Sequence, residues 1–383
     1  MAAPNDIDLL IIGGGCAGLS LARMLARYRS SVRTLVVEPR AAYTDDRTWC
    51  FWHGHRHPFQ HLVSSRWDAW RFSTSVGAIV QTGNSDLHYQ CLRSIDFYDD
   101  AREFIGSAPR VELEAGVTAI SVVPSGNGFK VETSAGPILA RYVVDTRPVS
   151  HETVGRDGLW QVFTGAEVRT DRDTFEPGTV GLMDNMSTDD FGFRFTYTLP
   201  FSRRHALVEE TRFTHRNVTS AELERGLELT LASLHAVTET LRTEKGRLPM
   251  AVHSARDNMP AGFVAAGIGG GAIRASTGYA FLRIQSWASN CAYRIHQGDA
   301  PCPHLPEPRW RTAIDRLFLR VLRAQPELGP QFFTAMSRGL SAETLVRFLS
   351  DASRPTDLAR VAFVLPKIPF LRNLVRPGTP AWS

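Results

Sequence analysis

The stretch that decides the fold lies at residues 8–18 and reads DLLIIGGGCAG. The apolar run from Asp8 to Ile12 has no helical periodicity, so it predicts a buried β-strand. After the glycines, apolar residues between Leu19 and Tyr28 recur at helical spacing. The sequence therefore predicts a strand, a tight glycine turn and a helix in direct succession.

The glycines of this turn have the spacing G-x-G-x-x-G. In a strand–turn–helix unit the first permits the tight turn, the second lets a diphosphate approach the backbone, and the third lets helix and strand pack closely. Free N–H groups at the helix N-terminus favour the phosphates. A second strand, RTLVVE, ends in Glu38, whose carboxylate can bond a ribose hydroxyl. The predicted dinucleotide site thus comprises Gly13, Gly14, Gly15, Cys16, Ala17, Gly18 and Glu38.

A second glycine-rich stretch appears late in the chain. Residues 258–285 read as an apolar strand, a glycine turn and a helix. We expect its glycines to let a planar ring system lie against the backbone. Flavoproteins build their site from the first βαβ unit and a late segment, so this return favours FAD over NAD. The glycines concerned are Gly267, Gly269, Gly270 and Gly271.

Residues 151–250 change to short segments typical of β-strands. In FRFTYTL the aromatic side chains Phe193, Phe195 and Tyr197 alternate with polar ones, so they share one face of a strand. This pattern predicts an antiparallel sheet with one face apolar enough to line a cavity.

Two adjacent glutamates, Glu209 and Glu210, lie in the segment LVEET of this sheet. Neighbouring side chains of a strand point to opposite faces, so one can face solvent while the other faces the interior. A carboxyl group in an apolar cavity has a raised pKa and becomes a proton donor at neutral pH. The alternative is that both are surface or salt-bridged carboxylates.

These elements predict an α/β fold. A Rossmann-type FAD-binding domain is formed by the discontinuous residues 1–150 and 251–300. An antiparallel-sheet substrate domain is inserted at residues 151–250. A basic, mostly helical region follows at residues 301–383.

Composition indicates a folded, soluble chain, with 43% hydrophobic and 21% charged residues. No apolar stretch is long enough to span a membrane, and the first residues lack the order of a signal peptide, so we expect a cytoplasmic protein. The net charge of +4 is concentrated in the C-terminal region. A basic segment can bind anionic lipid, and no nucleic-acid partner is expected.

Cysteines and histidines give no metal or redox motif. The five cysteines are scattered and form no CxxC pair, so we expect reduced, mostly structural thiols. His53, His55 and His57 alternate beside a proline without an acid or cysteine to complete a ligand set, which favours a loop over a metal site.

The motifs occur in an order that resembles the bacterial lycopene β-cyclase family over nearly the whole chain. Any one of them is weak alone, but the set in this order is hard to match with another flavoprotein family. After the dinucleotide loop they are DDRTWCFW (45–52), QVFTGAEV (161–168), FRFTYTLPFS (193–202), LVEET (207–211), GRLPM (246–250), GIGGGAIRASTGYAF (267–281), RFLSD (347–351) and VLPKIPFL (364–371).

This resemblance implies an isomerase that closes the linear ends of lycopene into β-ionone rings, giving γ- and β-carotene without net redox change. It implies a requirement for reduced FAD, with NAD(P)H as reductant. Glu209 is then the catalytic acid, with Glu210 as the reserve candidate, while Thr48 and Trp49 lie close to the flavin.

A carotenoid substrate also implies contact with the inner face of the cell membrane, without a spanning segment. Residues 309–325 and 361–377 combine apolar with basic side chains. The first favours a packed helix with a solvated basic side, whereas the second, interrupted by prolines, is the better candidate for lipid contact.

Two other functions remain open from the sequence. One is an FAD-dependent monooxygenase or halogenase acting on an apolar substrate. The other is a flavin-binding carotenoid carrier without catalysis. Oligomeric state is not predicted.

Overall fold

The computed structural model describes residues 7–54, 56–84, 86–148, 154–155, 157–252 and 259–375. His55 and the end of the 361–377 segment lie outside the described residues.

The first sheet forms the nucleotide-binding half of the fold. Strand β1 (Ile7–Ile12) pairs in parallel with β2 (Thr34–Glu38) and β11 (Gly136–Asp145), as the buried apolar runs of the sequence predict. In spatial order the described strands are β8 (Val111–Ala115), β2 (Thr34–Glu38), β1 (Ile7–Ile12), β11 (Gly136–Asp145), β10 (Gly128–Thr133) and β9 (Ala119–Ser125), with β17 (Phe263–Ala265) parallel to the end of β11.

Three helices cover one face of this sheet: α1 (Cys16–Arg27), α2 (Ser94–Gly106) and α4 (Phe281–His296). Helix α1 begins at Cys16, three residues before the apolar periodicity does. Because β17 comes from the late glycine stretch, chain segments far apart in sequence meet beside the end of β11. This arrangement confirms the predicted Rossmann-type domain, in which a segment from late in the chain joins the first sheet.

The second sheet forms the substrate half. Neighbouring strands of this sheet are antiparallel, except that β13 (Thr179–Asp189) and β5 (Ala69–Thr74) pair in parallel. In spatial order the described strands are β16 (Val237–Met250), β12 (Leu159–Thr170), β15 (His205–Thr214), β14 (Gly192–Ser202), β13 (Thr179–Asp189), β5 (Ala69–Thr74) and β6 (Gly77–Thr82).

Strands β5 and β6 differ from the domain boundaries drawn from the sequence. They lie within residues 1–150, the range assigned to the FAD-binding domain, yet they extend the substrate sheet. The physical reason is burial, since Trp70 and Phe72 insert into the core of the second sheet. A three-stranded sheet of β3 (Thr48–His53), β7 (His88–Arg93) and β4 (Val63–Trp67) carries the chain between the two halves.

The remaining described helices cover the second sheet and the C-terminal region. Helix α3 (Ser220–Ser233) covers β12 and β15, while α6 and α7 contribute to the core that contains Phe193. The basic segment at 309–325 forms α5 and buries Leu319, Val321 and Leu322, so it packs as expected. The helices from α5 onward are α5 (Arg309–Ala324), α6 (Gly329–Gly339), α7 (Ala342–Leu349), α8 (Pro355–Val364) and α9 (Lys367–Val375).

No helix in the described part of the chain has the length and hydropathy needed to cross a bilayer.

Candidate active site

A cavity of about 260 Å³ lies where the two halves of the fold meet. Its wall starts at Cys16 beside the glycine turn, follows β3, and continues over the inner face of the second sheet to helices α6 and α7. Most of this wall is apolar or aromatic, as the alternation in FRFTYTL predicts. The aromatic residues are Trp49, Phe72, Tyr89, Phe163, Phe195, Tyr197, Phe213, Tyr279, Phe281 and Phe333.

Glu209 and Glu210 lie on opposite faces of β15. Glu209 lines the cavity. Glu210 lies under helix α3, where its Oε1 is 2.8 Å from Arg194 Nε and its side chain is fully buried. The expectation that one of the two can face solvent is therefore wrong, because α3 covers the outer face of the sheet. Glu210 is salt-bridged and does not reach the cavity.

A second carboxylate, Glu244 on β16, lines the same cavity beside Glu209. Both strands flank β12, and both glutamates are in register with Gly165 of that strand. A Cβ built on Gly165 would lie 2.6 Å from Glu209 Cγ. The missing side chain at Gly165 is what allows the two carboxyl groups to meet across the central strand.

The pKa of Glu209 is raised well above its ordinary value. Burial is the main cause, followed by the negative charge of Glu244 and a hydrogen bond between the two carboxyl groups. The positive charges of Arg242 and Arg47 act in the opposite direction but do not cancel this shift. Glu209 therefore tends towards the protonated form, in an apolar wall.

Glu244 is held in place by two donors. Thr48 Oγ1 donates to Glu244 Oε2 at 2.8 Å, and Arg242 Nη1 lies 2.5 Å from the same oxygen. Arg242 Nη2 also donates to Thr48 Oγ1 at 2.7 Å, and its Nε donates to Glu167 at 2.6 Å. Thr48, Arg242 and Glu244 thus form a closed ring of hydrogen bonds that fixes Oε2 of Glu244. Arg242 connects this ring to Glu167.

Sequence reasoning missed Glu244 and Arg242. The signal was present, because the two residues are two positions apart in TLRTEKG and so share one face of a strand. What the sequence lacks is the register that puts this face beside Glu209.

Three buried tyrosine hydroxyls complete the polar part of the wall. Tyr89 Oη lies 2.5 Å from Tyr197 Oη and 3.3 Å from Tyr279 Oη. Burial raises the pKa of all three phenols, so they stay neutral. The two contacts leave at least one of the three O–H donors for another acceptor.

The first glycine turn is shaped to receive an anion. Helix α1 has neither a side-chain cap nor an acidic residue in its first turn. A Cβ on Gly15 would meet nothing within 4 Å, whereas one on Gly18 would overlap the carbonyl oxygen of Gly13. The absence of a side chain at Gly18 therefore allows helix and strand to pack closely. At Gly15 it leaves the backbone accessible beside the free N–H groups of the helix N-terminus, which is the arrangement that a diphosphate needs.

Glu38 lies beneath this turn at the end of β2. Its Oε2 accepts the N–H of Gly14 at 2.6 Å, and its Oε1 accepts from the backbone and guanidinium of Arg40. The carboxylate thus fixes the turn itself. Oε1 thus accepts two hydrogen bonds, while Oε2 keeps a further lone pair. The predicted bond to a ribose hydroxyl stays a prediction.

The late glycine turn packs directly on the first one. Gly267 has φ of +65°, and a Cβ there would lie 2.9 Å from Ala17 Cβ. Gly271 also has positive φ, and a Cβ on Gly270 would overlap the backbone of Ala265. Three of the four glycines are therefore required by the turn itself. The expectation that they also let a planar ring lie against the backbone stays a prediction. Gly269 is buried in the same turn.

Thr48 and Trp49 lie on β3 between the two halves of the site. The Trp49 ring stacks on Phe281 with centroids 5.5 Å apart and contacts Phe97 edge-on. Both residues line the cavity that reaches Cys16. Their expected proximity to a flavin ring stays a prediction.

Among the described residues, no three His, Cys, Asp or Glu side chains are grouped as a metal ion would require. His57 Nε2 lies 2.8 Å from Gln90 Oε1.

Solved structures share this fold. A geranylgeranyl bacteriochlorophyll reductase-like protein from Thermoplasma acidophilum matches with a TM-score of 0.62 and 15% identity, over 96% of this chain and 98% of the other. A flavin-dependent brominase matches with a TM-score of 0.59 and 10% identity, over 94% and 98%. At such identities the likeness shows the fold alone. Fold and site together define an α/β protein with a Rossmann-type nucleotide-binding domain and an apolar cavity that contains a carboxyl pair.

The sequence comparisons narrow this class. The family described as lycopene cyclase protein matches residues 8–375. A lycopene β-cyclase of Pantoea ananas is 25% identical over 96% of this chain and 97% of its own length, and one of a Paracoccus species is 28% identical over 71% and 69%. The chain belongs to the lycopene cyclase family.

Proposed function

We propose that this protein is a lycopene β-cyclase that converts lycopene to γ- and β-carotene. The observation that carries the proposal is the position of Glu209, a carboxylic acid held towards its protonated form in an apolar cavity next to the dinucleotide turn. Protonation of an alkene requires this combination of an acid and a dry site. Family membership supports the choice of substrate.

The reaction balances without any net oxidation. The Glu209 O–H bond breaks as a C–H bond forms at C2 of the substrate, and the alkene electrons leave a tertiary cation at C1. The C5=C6 electrons close the ring, and a proton is lost from C6. The carboxylate that Glu209 has become is a base in the same cavity wall, suited to accept that proton.

FAD is the cofactor that the turn geometry fits. The α1 N-terminus and Gly15 would hold the diphosphate, Glu38 would hold the ribose, and Thr48 and Trp49 would contact the flavin ring. When bound and reduced, FAD would supply negative charge near the developing cation. NAD(P)H is the proposed source of its electrons.

In this proposal, one end of a linear carotene would occupy the cavity at a time. A second cavity of about 710 Å³ shares Cys50, Tyr279 and Phe281 with the first, so it offers room for the rest of the chain. The aromatic wall around Trp49 excludes water and favours a cation.

The surface of helices α8 and α9 supports docking on the cytoplasmic face of a membrane. Four large apolar side chains are exposed there, next to the basic residues Arg360, Lys367 and Arg372. Apolar groups beside basic ones favour an anionic lipid surface. The exposed apolar residues are Phe363, Ile368, Leu371 and Leu374.

Expression in a bacterium that accumulates lycopene tests the function directly. Chromatography of the pigments should show conversion to γ- and β-carotene. In a purified assay, trace NADH or NADPH should support many turnovers. Stoichiometric consumption of reductant and oxygen would instead support the monooxygenase alternative, and unchanged lycopene bound to flavin-loaded protein would support a carrier.

A further inference from the structure

The pairing of Glu209 with Glu244 carries an inference beyond the cyclase assignment, on which it rests for its substrate. We propose that Glu244 is a positioning residue for the acid, and that the two glutamates hold one proton between them across Gly165. Glu209 delivers the proton to substrate, and Glu244 acts through Glu209.

The first support is geometric. Glu209 and Glu244 sit on the two neighbours of β12 at the level of Gly165. Any side chain there would intrude on the methylenes of Glu209, since a Cβ would lie 2.6 Å from Cγ. Two like charges so close together in a buried site favour a single shared proton.

The second support is the difference in partners between the two carboxyl groups. Glu244 Oε2 receives Thr48 Oγ1 and Arg242 Nη1, two donors that complement a carboxylate. Glu209 interacts with Glu244 itself. Both hydrogen-bond donors therefore stabilise the ionised form of Glu244. The shared proton is then held mainly by Glu209, which faces the apolar wall of the cavity.

The surroundings of Glu209 contain other charged and titratable groups. The positive charges of Arg242 and Arg47 both oppose the effect of Glu244. Glu167 on β12 acts on Glu209 indirectly, through its ion pair with Arg242. The groups around Glu209 are Glu244 and Arg242 on β16, Tyr197 on β14, Cys50 on β3, Tyr89 on β7, and Arg47 just before β3.

Glu244→Gln tests the pairing because it removes the negative charge while keeping shape. Activity needs protonated Glu209, so it should fall as pH rises through the pKa of that group. Loss of the neighbouring charge lowers this pKa and moves the falling limb to lower pH. At a pH where both proteins are on their falling limbs, the variant should be about tenfold slower if its pKa is lower by one, while at acidic pH its rate should approach that of wild type.

A direct titration separates this inference from the cyclase assignment. In the flavin-loaded protein without lycopene, the infrared C=O band of a protonated carboxyl group that disappears in Glu209→Gln reports Glu209. This band should persist to higher pH in wild type than in Glu244→Gln. If wild type fails to cyclise lycopene, the proposed function is wrong. The titration still tests whether Glu244 raises the pKa of Glu209, because it needs no substrate.

Two further variants keep the test decisive if Glu244→Gln fails to fold. Gly165→Ala should separate the carboxyl groups and shift the band in the same direction. Glu239→Gln, at an exposed glutamate of the same strand, should leave both profiles unchanged. If either Glu244→Gln or Gly165→Ala folds and its band titrates as in wild type, the proposal is overturned, as it is by a loss of rate uniform over all pH values.

Discussion

Thr48 and Glu244 are 196 positions apart in the chain, and the Thr48 hydroxyl donates to Glu244 Oε2 at 2.8 Å. Thr48 begins the strand that runs beside the dinucleotide turn, whereas Glu244 belongs to the edge of the substrate sheet. One hydrogen bond thus joins the proposed flavin side of the cavity to the carboxyl pair.

Thr48→Val should lower turnover of lycopene by about tenfold, because it removes a donor to a charged group while keeping the side-chain shape. Initial rates measured with flavin-loaded protein check this. Thr48→Ser, which keeps the hydroxyl, is the matched control. Equal rates for the valine and serine variants would show that this hydrogen bond has no role in catalysis.

Glu209→Gln should retain fold and FAD but reduce cyclisation by about 10²–10⁴-fold, because the amide has no acidic proton to give. Product chromatography, the flavin absorbance and a thermal melt together check this. Normal product formation would remove Glu209 from the role of acid.

The raised pKa of Glu209 has a defined consequence for stability. Between the pKa of an unfolded glutamate and the higher pKa of Glu209, the folded state binds more protons, so the contribution of this group falls as pH rises. Glu209→Gln should therefore gain stability relative to wild type with increasing pH. Urea unfolding of both proteins at several pH values checks this, and a pH-independent difference would contradict it.

Substitutions at two glycines of the first turn should have different effects, one on flavin binding and the other on stability. Gly15→Val should fold normally but lose flavin, because its side chain would enter the open space beside the free N–H groups. Gly18→Ala should destabilise the fold by roughly 3 kcal/mol or more, because its Cβ would overlap the carbonyl of Gly13. The flavin-to-protein absorbance ratio and the melting temperature separate the two effects. A flavin-loaded Gly15→Val protein would argue against the diphosphate site.

Leu371→Glu should weaken binding to vesicles of anionic phospholipid by at least about tenfold, because it replaces an exposed apolar side chain of the proposed docking surface with a negative charge. Co-sedimentation measures the bound fraction. Val76→Glu changes a fully exposed apolar residue elsewhere and should bind as wild type does. If the two variants bind alike, helix α9 is not the contact.

Local patterns were enough to predict the nucleotide half of the fold. The run from Asp8 to Gly18 carries strand, turn and helix in adjacent residues, and the spacing of its glycines predicted the close packing at Gly18 and the open backbone at Gly15. The same holds for the alternation at Phe195 and Tyr197, which correctly indicated an apolar cavity face.

Non-local pairing was not predictable in the same way. Glu209 was found because it lies in a recognisable segment, but its partner Glu244 depends on the register of β12 with two other strands. Glu210 was misjudged because its burial depends on α3 and on Arg194, neither of which its own strand pattern reveals.

The parallel pairing of β5 with β13 has a consequence for synthesis of the chain. Residues 69–82 leave the ribosome long before residues 179–189, so β5 must wait without its neighbour while about a hundred residues are added. Until then the apolar side chains of Trp70 and Phe72 lack their final cover. The two halves of the enzyme therefore cannot mature one after the other, and a fragment ending at residue 150 would keep an unpaired strand edge prone to aggregation.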